Sequence, residues 1–373
     1  MHSVKFYPVG NGDCSQIILA NGKRLLFDYC HRKQSEDDKD PRIDLKAALR
    51  QELQEANRDN YNVVAFTHGD DDHIAGSTDF FYLEHAKTYQ SADRIKMSEL
   101  WVPAAMILED GVSGETRVLR QEARYRLKQG KGIRVFSKPD KLEGWLRAQG
   151  LTLQSRAHLM TDAGQLVPGF NKVTDGVEFF VHSPFSKHVD GGTVQRNEAA
   201  LILHATFRVD STETRFLMIG DMIGDTEWAV LADIVNITRS RGRDDRLKWD
   251  LYNIPHHCSY LALGPEKGTD RTTPVDAVQW LLDQGQVGCI LISSSDPIPN
   301  EDTNNPPHRQ AARTYRDTIK KNNGDRFEVT MEHPNSTKPK PIEIKIGRDG
   351  AKLIKLGLLG ASFVTSKPSP RAG

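Results

Sequence analysis

The opening of the chain carries the hydrophobic pattern of a β-hairpin. Residues 15–20 and 23–29 are two short, largely apolar stretches, and Asn21-Gly22 separates them. An Asn-Gly pair is favoured where both central residues of a tight turn need positive φ angles. The pattern therefore predicts two antiparallel strands joined by a two-residue turn.

Residues 44–67 change from a helical period to a strand. Leu45, Leu49 and Leu53 recur every four positions between residues 44 and 56, which predicts an amphipathic helix with one apolar face. Residues 61–67 are a short apolar run with adjacent β-branched valines, as expected of a buried strand.

Strand and helix patterns alternate again in the second half of the chain. Strands are predicted at residues 177–182, 199–208, 214–219, 251–254 and 287–293. Helices are predicted at residues 225–235, 274–284 and 307–321. Strands in both halves with helices between them indicate an α/β sandwich of packed layers.

Residues 85–175 break this alternation, because they have the pattern of interrupted helices around the basic segment 117–134. We interpret them as a partly helical basic insertion within one domain that spans residues 1–365. Residues 366–373 (SKPSPRAG) have the composition of a disordered tail.

Composition narrows the class of protein. The 373 residues are 38% hydrophobic, and 50 Lys and Arg balance 50 Asp and Glu, so a polyanionic partner has to be held by a local patch rather than by net charge. No apolar run approaches the roughly 18 residues that cross a bilayer, and no secretory signal pattern opens the chain. Four widely spaced cysteines are too few for a disulfide scaffold. We expect a cytoplasmic protein with reduced thiols and no membrane association.

The densest concentration of chemistry lies directly after the strand predicted at residues 61–67. His68, Asp70, Asp72 and His73 fall within six residues on a strand-to-helix turn. Carboxylates this close repel one another unless a cation offsets their charge, and imidazole and carboxylate are ligands of zinc and manganese. An acidic turn that caps a helix is the alternative, but it leaves the two histidines unexplained. The turn therefore predicts a metal site.

Two later strands end in the same kinds of side chain. Residues 216–220 form an apolar strand with a terminal glycine, and Asp221 follows with a carboxylate suited to bridging two metals. Residues 251–255 lead into His256 and His257. Either feature alone is weak, because a single Asp after a strand is usually a turn residue. Together they predict the second half of the metal site.

The order of these motifs resembles that of the metallo-β-lactamase superfamily. The chain is most similar to the lactamase-type domain of bacterial DNA-internalisation competence proteins, since residues 9–14 (VGNGDC), 197–203 (NEAALIL) and 305–308 (NPPH) resemble further elements of that branch. The resemblance covers about residues 4–320 apart from the insertion. It implies an α/β fold of the four-layer αββα type, with metals at one edge of two sheets.

The resemblance also implies a ligand set for two divalent metal ions, Zn²⁺ or Mn²⁺. In that set, His68 and Asp70 hold one ion, Asp72 and His73 hold the other, Asp221 bridges the two, and His256 or His257 supplies a further ligand.

Two positions depart from the superfamily pattern. Asp70 stands where most members have a second histidine, and Asn197 stands where many have a third. Both changes replace nitrogen by oxygen, which makes the first site harder, so we expect it to accept Mn²⁺ or Mg²⁺ as readily as Zn²⁺. Asn197 is kept as a candidate ligand. His182, at the end of another strand, is an alternative for the same place unless it is a core residue.

The resulting hypothesis is a metal-dependent hydrolase that uses a hydroxide held between two divalent metals, whose charge lowers the pKa of a shared water. In it, Asp72 also orients the hydroxide. His308 either protonates the leaving group or holds a phosphate. A surface position at a helix N-terminus is the alternative for His308.

The substrate class is the least constrained inference. The branch resemblance, the oxygen-rich first site and the basic insertion favour a phosphodiester, which makes the chain a nuclease or nucleotide phosphodiesterase. Arg117, Arg120, Arg124 and Lys128 would bind the phosphates of a nucleic acid or nucleotide, although a solvated helix face explains them equally well. Two alternatives stay open: a small-ester hydrolase of the lactonase or phosphorylcholine-esterase type, and a weakly active metal-binding module with a protein partner in a larger complex.

Overall fold

The computed structural model describes residues 1–190, 196–223 and 230–354. The predicted tail at 366–373 and the predicted start of a helix at residue 225 lie outside the described residues.

The described residues form fifteen strands in two sheets. The first sheet contains β1 (His2–Phe6), β2 (Ser15–Ile18), β3 (Arg24–Phe27), β4 (Asn60–Ala65), β5 (Lys96–Pro103), β6 (Ile133–Phe136) and β7 (Met160–Thr161). The second sheet contains β8 (Val177–Ser183), β9 (Ile202–Val209), β10 (Thr212–Met218), β11 (Trp249–Ile254), β12 (Gly285–Ser293) and β13 (Arg326–Val329). The chain then returns to the first sheet with β14 (Ile342–Gly347) and β15 (Gly350–Leu353).

The strand orders are β15-β14-β1-β2-β3-β4-β5-β6-β7 in the first sheet and β13-β12-β11-β10-β9-β8 in the second. Strands β2 and β3 pair antiparallel, which confirms the predicted hairpin. The predicted two-residue turn is wrong, because the last pair is Ile18 with Arg24 and, of Asn21 and Gly22, only Gly22 has a positive φ angle. Strand β4 confirms the strand predicted after the first helix, and it pairs parallel to both β3 and β5.

Eleven α-helices occur in the described residues. They are α1 (Leu45–Glu55), α2 (Asp71–Ile74), α3 (Ser77–Phe80), α4 (Ala104–Leu108), α5 (Gly114–Gln129), α6 (Asp140–Ala148), α7 (Leu153–Arg156), α8 (Lys187–Asp190), α9 (Val230–Ser240), α10 (Asp276–Leu282) and α11 (Arg309–Lys321).

Three apolar layers hold the sheets and helices together. Between the sheets, Phe6 packs edge-on against Phe216, and Trp101 packs edge-on against Phe179. The outer face of the first sheet is covered by apolar residues of α1, α5 and α6. The outer face of the second sheet is covered by α9, α10 and α11. This arrangement is the predicted four-layer αββα sandwich.

The segment 85–175, set apart by its sequence as an insertion, is built into the first sheet. It supplies β5, β6 and β7 as well as α4 to α7. Leu100, Val102, Ile133 and Val135 of its strands share one apolar cluster with α1. The segment therefore extends both the first sheet and its helical layer.

Four parallel strands direct their carboxyl ends toward one edge of the sandwich. In the first sheet β3 and β4 run parallel, with Phe27 beside Ala65. In the second sheet β10 and β11 run parallel, with Met218 beside Asn253. Residues that follow these strands are consequently brought side by side, where parallel sheets usually place their functional groups.

Within the described ranges, no helix combines the length and apolar character that crossing a membrane requires.

Candidate metal centre

The residues after β3 and β4 form a buried scaffold around His73. The Asp28 carboxylate accepts hydrogen bonds from the Thr67 backbone N–H at 2.7 Å and from the Thr67 hydroxyl at 2.7 Å. Its Oδ2 also lies 2.8 Å from His73 Nδ1 and accepts the ring N–H. Asp28 and His73 are almost fully buried. With Nδ1 engaged in this way, Nε2 is the His73 ring nitrogen that faces the candidate metal centre.

The residues after β10 and β11 approach His73 from the second sheet. Asp221 Oδ1 lies 3.2 Å from His73 Nε2, and Asp221 Oδ2 lies 3.4 Å from His257 Nε2. His257 Nε2 is also 3.1 Å from Asp72 Oδ2. The other ring nitrogen of His257 donates to the Ser294 carbonyl at 2.7 Å. Asp221 therefore lies between two fixed imidazoles, where its carboxylate would help to hold a cation.

The backbone at residues 256–258 selects which histidine enters the cluster. His256, His257 and Cys258 all have positive φ angles, between 50° and 64°, a region that non-glycine residues rarely adopt. This left-handed turn directs the His257 ring toward Asp221. His256 is only half-buried. Backbone strain of this kind concentrates at functional sites.

Several buried nitrogen and oxygen atoms in the cluster make no well-aligned hydrogen bond. They include His68 Nε2, His73 Nε2 and Asp221 Oδ1, of which the last two lie 3.2 Å apart as an ion pair. Buried polar atoms that are only partly satisfied are costly, and a cation that took these atoms as ligands would satisfy them. The residues present therefore fit a divalent metal.

Charge in the cluster is strongly coupled. Burial by itself would raise the pKa of Asp221, but the positive charges of His257 and His73 hold the pKa well below its ordinary value. Burial would lower the pKa of His73, but Asp221 and Asp28 hold it well above its ordinary value. In both cases neighbouring charges outweigh desolvation, so Asp221 is an ionised carboxylate that would favour a bound cation.

The ligand atoms fall into overlapping groups. One atom each from His68, Asp72, His73 and Asp221 lie within 4.8 Å of one another, and so do atoms from Asp13, Asp221 and His257. Asp70 stands at the border of the first group, where its Oδ2 is 3.4 Å from His68 Nε2. The structure thus brings together the four candidate ligands of the turn at residues 68–73, Asp221 and His257.

Three residues near the centre were missed from the sequence. Asp13 and Asp28 belong to a further group of possible ligand atoms with His73. The Arg196 guanidinium pairs with Asp70 and with Glu109. A single acidic residue after a strand does not by itself indicate a metal site. Asp13 belongs to residues 9–14 (VGNGDC), and the family resemblance of this element assigned it no role.

Two other histidine candidates lie outside these groups. His182 is a core residue: its Nε2 donates to the Arg246 carbonyl at 2.9 Å, and burial lowers its pKa to about 4. His308 is buried at the N-terminus of α11, where its Nδ1 accepts from the Tyr260 backbone N–H at 3.3 Å. Asn197 is next to Arg196, and its buried Oδ1 has no hydrogen-bond partner.

The four predicted phosphate-binding residues lie on α5 in two different environments. Arg120 is buried and donates to the Glu109 carbonyl. Arg124 donates to the Ile107 carbonyl at 2.8 Å and stacks 5.6 Å from the centre of the Trp145 ring. These two side chains therefore hold α5 against α4. Arg117 and Lys128 are exposed.

Comparisons with known proteins return distant structural likeness. No family model matches the chain, and no curated protein sequence matches it. One similar solved structure is described as a new diphosphatase from the PhnP family, with a TM-score of 0.33 and 10% identity over 79% of this chain and 87% of that one. Another is the metallo-β-lactamase GOB-18 from Elizabethkingia meningoseptica, with a TM-score of 0.32 and 14% identity over 68% of this chain and 74% of that one. Likeness at this level carries no weight for function, so the chemistry has to be inferred from the site.

Proposed function

We propose that this chain is a metal-dependent hydrolase of the metallo-β-lactamase superfamily that cleaves phosphodiesters with two divalent cations, Zn²⁺ or Mn²⁺. The observation that carries the proposal is the convergence, at one edge of an αββα sandwich, of buried imidazole and carboxylate atoms that make no well-aligned hydrogen bond, on His68, His73 and Asp221. Such atoms are costly in a folded protein unless an ion binds them.

The six ligands divide into an inner and an outer subsite. The inner subsite consists of Asp72, His73 and His257, the outer subsite consists of His68 and Asp70, and Asp221 is shared between them. The inner residues come from both sheets. His68 is as deeply buried as the inner histidines, so the two subsites differ in exposure only through their carboxylates, 38% for Asp70 and 29% for Asp72. Bound divalent cations supply Lewis acidity and lower the pKa of water, which makes hydroxide available at neutral pH.

Asp72 is the residue placed to handle the attacking water. Its side chain is 29% exposed, whereas those of Asp221 and His257 are 4% and 3% exposed. Asp72 therefore reaches the solvent side of the centre, where a substrate enters. Its Oδ2 is fixed by His257 at 3.1 Å, which leaves Oδ1 to accept a proton from water and orient its lone pair toward the substrate.

A phosphodiester substrate is supported by the donor set. Oxygen ligands at Asp70 and Asp72 suit hard cations that bind phosphate oxygens.

The test is hydrolysis by the wild type, by Asp72→Asn and by Asp71→Asn. The neighbouring Asp71 is exposed and is assigned no role, so it is a matched control. Each protein is incubated with single- and double-stranded DNA, RNA and bis(p-nitrophenyl) phosphate in Mn²⁺ or Zn²⁺. We expect cleavage by the wild type and by Asp71→Asn, and a loss of at least 100-fold in Asp72→Asn. Equal rates in all three proteins would refute the role of Asp72. Cleavage of a lactone or thioester but of no phosphodiester would refute the substrate class.

A further inference from the structure

Arg196 joins the metal-binding turn to the helical layer of the first sheet. Its Nη1 donates to Asp70 Oδ1 and to the Gly69 carbonyl, the latter at 3.1 Å. Its Nε and Nη2 meet the Glu109 carboxylate at 2.9 Å. The guanidinium is therefore fixed by two carboxylates and one backbone carbonyl. Arginine is suited to this role because its planar fork holds several oxygens in one geometry.

Asp70 depends on this contact for its orientation. It precedes α2, but its side chain makes no capping hydrogen bond to that helix, and it is 38% exposed. Arg196 binds one oxygen, Oδ1, and the other oxygen, Oδ2, then lies 3.4 Å from His68 Nε2. Two atoms at that separation match neighbouring ligands of one tetrahedral ion, given metal–ligand distances of about 2.0 to 2.2 Å.

The inner subsite has no contact with Arg196. Its histidines are oriented instead by Asp28, which accepts from His73 Nδ1 at 2.8 Å, and by the Ser294 carbonyl, which accepts from His257 Nδ1 at 2.7 Å. The contacts that orient Asp70 are consequently separate from those that orient the inner histidines, although the Thr67 hydroxyl lies 3.1 Å from Nδ1 of His68 and 3.3 Å from Nδ1 of His73.

We infer that Arg196 is a positioning residue that makes Asp70 a ligand and thereby sets the affinity of the outer subsite, independently of the inner one. The inference rests on the proposed two-cation centre. Its consequence is a protein with two unequal metal sites. The inner site is preformed by buried contacts, and the outer site is filled only when the guanidinium holds the half-exposed Asp70 in place.

Two physical effects oppose each other at this position, and they predict opposite results. As a positive charge, Arg196 repels a cation and competes for Asp70, so removing it would tighten the outer site. As an orienting partner, Arg196 already holds the Asp70 side chain in place, so metal binding costs less conformational entropy. Removing Arg196 would then weaken the outer site. Partners that orient ligands typically contribute 10- to 100-fold in metal affinity. The direction of the change therefore identifies the role.

In the experiment, the metal-free protein is titrated stepwise with Mn²⁺ and with Zn²⁺, and the binding is measured by calorimetry. Wild-type protein is expected to show a tight and a weak binding step. In Arg196→Gln the weak step should fall in affinity by about 10- to 100-fold while the tight step is unchanged. Arg196→Lys keeps the charge but loses the fork, so it should weaken the same step by a smaller factor.

Two further variants separate positioning from general damage to the fold. Glu109→Gln loosens the far side of the Arg196 contact and should weaken only the outer step, and the double variant with Arg196→Gln should be no worse than Arg196→Gln alone. Arg246→Gln is the matched control. Arg246 bridges Glu178 and Asp245 and is 21% exposed, against 27% for Arg196. Its loss should leave both steps unchanged.

The outcomes distinguish this inference from the function on which it rests. Two binding steps in the wild type, with an unchanged or tighter weak step in Arg196→Gln, would overturn the role of Arg196 and leave the hydrolase proposal standing. Loss of both steps in Arg196→Gln, with an unchanged melting curve in chelator, would overturn the independence of the subsites. Failure of the wild type to bind any metal would refute the proposed function itself.

Discussion

Replacing Asp28 by Asn should weaken metal binding although Asp28 is not assigned as a ligand. The Asp28 carboxylate accepts three hydrogen bonds of 2.7 to 2.8 Å, two from Thr67 and one from His73 Nδ1. An Asn side chain has one acceptor oxygen and one donor NH₂ group. In Asp28→Asn, at least one N–H or O–H donor therefore meets another donor. The simplest relief is for His73 to move its proton from Nδ1 to Nε2, the nitrogen that faces Asp221.

The magnitude follows from that tautomer change. Metal binding through Nε2 then has to displace a proton or rotate the amide. Loss of such an orienting partner costs 10- to 100-fold in affinity, or about 1.4 to 2.7 kcal/mol. The substitution adds no backbone strain, because Asp28 has a φ of 56° and Asn tolerates this region as well as Asp does.

The assay is competition for Zn²⁺ against a chromophoric chelator. Asp175→Asn is the control, because Asp175 is also a buried carboxylate that accepts hydrogen bonds, from Asn171 and Thr174, in a loop away from the centre. Both variants should lose some stability, but only Asp28→Asn should lose metal affinity. Wild-type affinity in Asp28→Asn would refute the role of Asp28 in orienting His73.

Three further changes test other parts of the structure. Asp221→Asn should abolish the gain in melting temperature on adding Mn²⁺, a gain that corresponds to about 2.7 kcal/mol when the ion is at 100 times its Kd; a persisting gain would mean that the ion binds elsewhere. His182 has a folded pKa of about 4, below the ordinary 6.5, so the unfolded chain binds the extra proton between these values and the free energy of unfolding falls by about 3 kcal/mol as the pH drops from 6.5 to 4. Urea unfolding of His182→Gln across that window should show a smaller dependence on pH, and an unchanged dependence would contradict the assignment. Gly69→Ala places a methyl group 2.9 Å from Thr116 Cγ2 and should destabilise the fold by about 1 to 3 kcal/mol, whereas Gly144→Ala, in open space on a helix, should not destabilise it.

The local periodicity of the sequence was enough to predict packed layers of sheet and helix, the family resemblance supplied their αββα order, and the residue types in one turn indicated the candidate centre. The β-branched run at residues 61–67 and the acidic, histidine-rich turn after it are both local signals, and both lie where the structure has a strand end and ligand atoms. The sequence also placed Asp221 after a strand. The parallel pairing of β10 with β11, which makes Asp221 a neighbour of His257, is a long-range property that no local pattern carries.

The sequence did not show which of His256 and His257 enters the cluster. Adjacent side chains of an extended strand point to opposite sides, but this alternation does not hold in a left-handed turn. The positive φ angles at both residues are imposed by the surrounding structure rather than by their side chains. A histidine pair in a sequence therefore predicts a ligand without fixing which ring binds.

The segment 85–175 shows a different limit. Strand β5 begins with the residues KMSE, and only the following few residues are apolar. The sequence pattern of a strand is therefore weak there, beside the strong helical pattern of α5. The basic residues of α5 looked like a surface patch in the sequence. Arg120 and Arg126 are instead buried, with Arg126 held by Glu122 at 2.6 Å. Charge counted along a helix does not reveal which members are neutralised inside the fold.

The most direct test of the metal centre is anomalous diffraction from crystals grown with Mn²⁺ or Zn²⁺. Two anomalous peaks about 3.5 to 4 Å apart are expected, with the Asp221 carboxylate between them, His73 and His257 around one peak and His68 around the other. Crystals that contain the ion but show no peak within ligand distance of Asp221 would contradict the proposed centre.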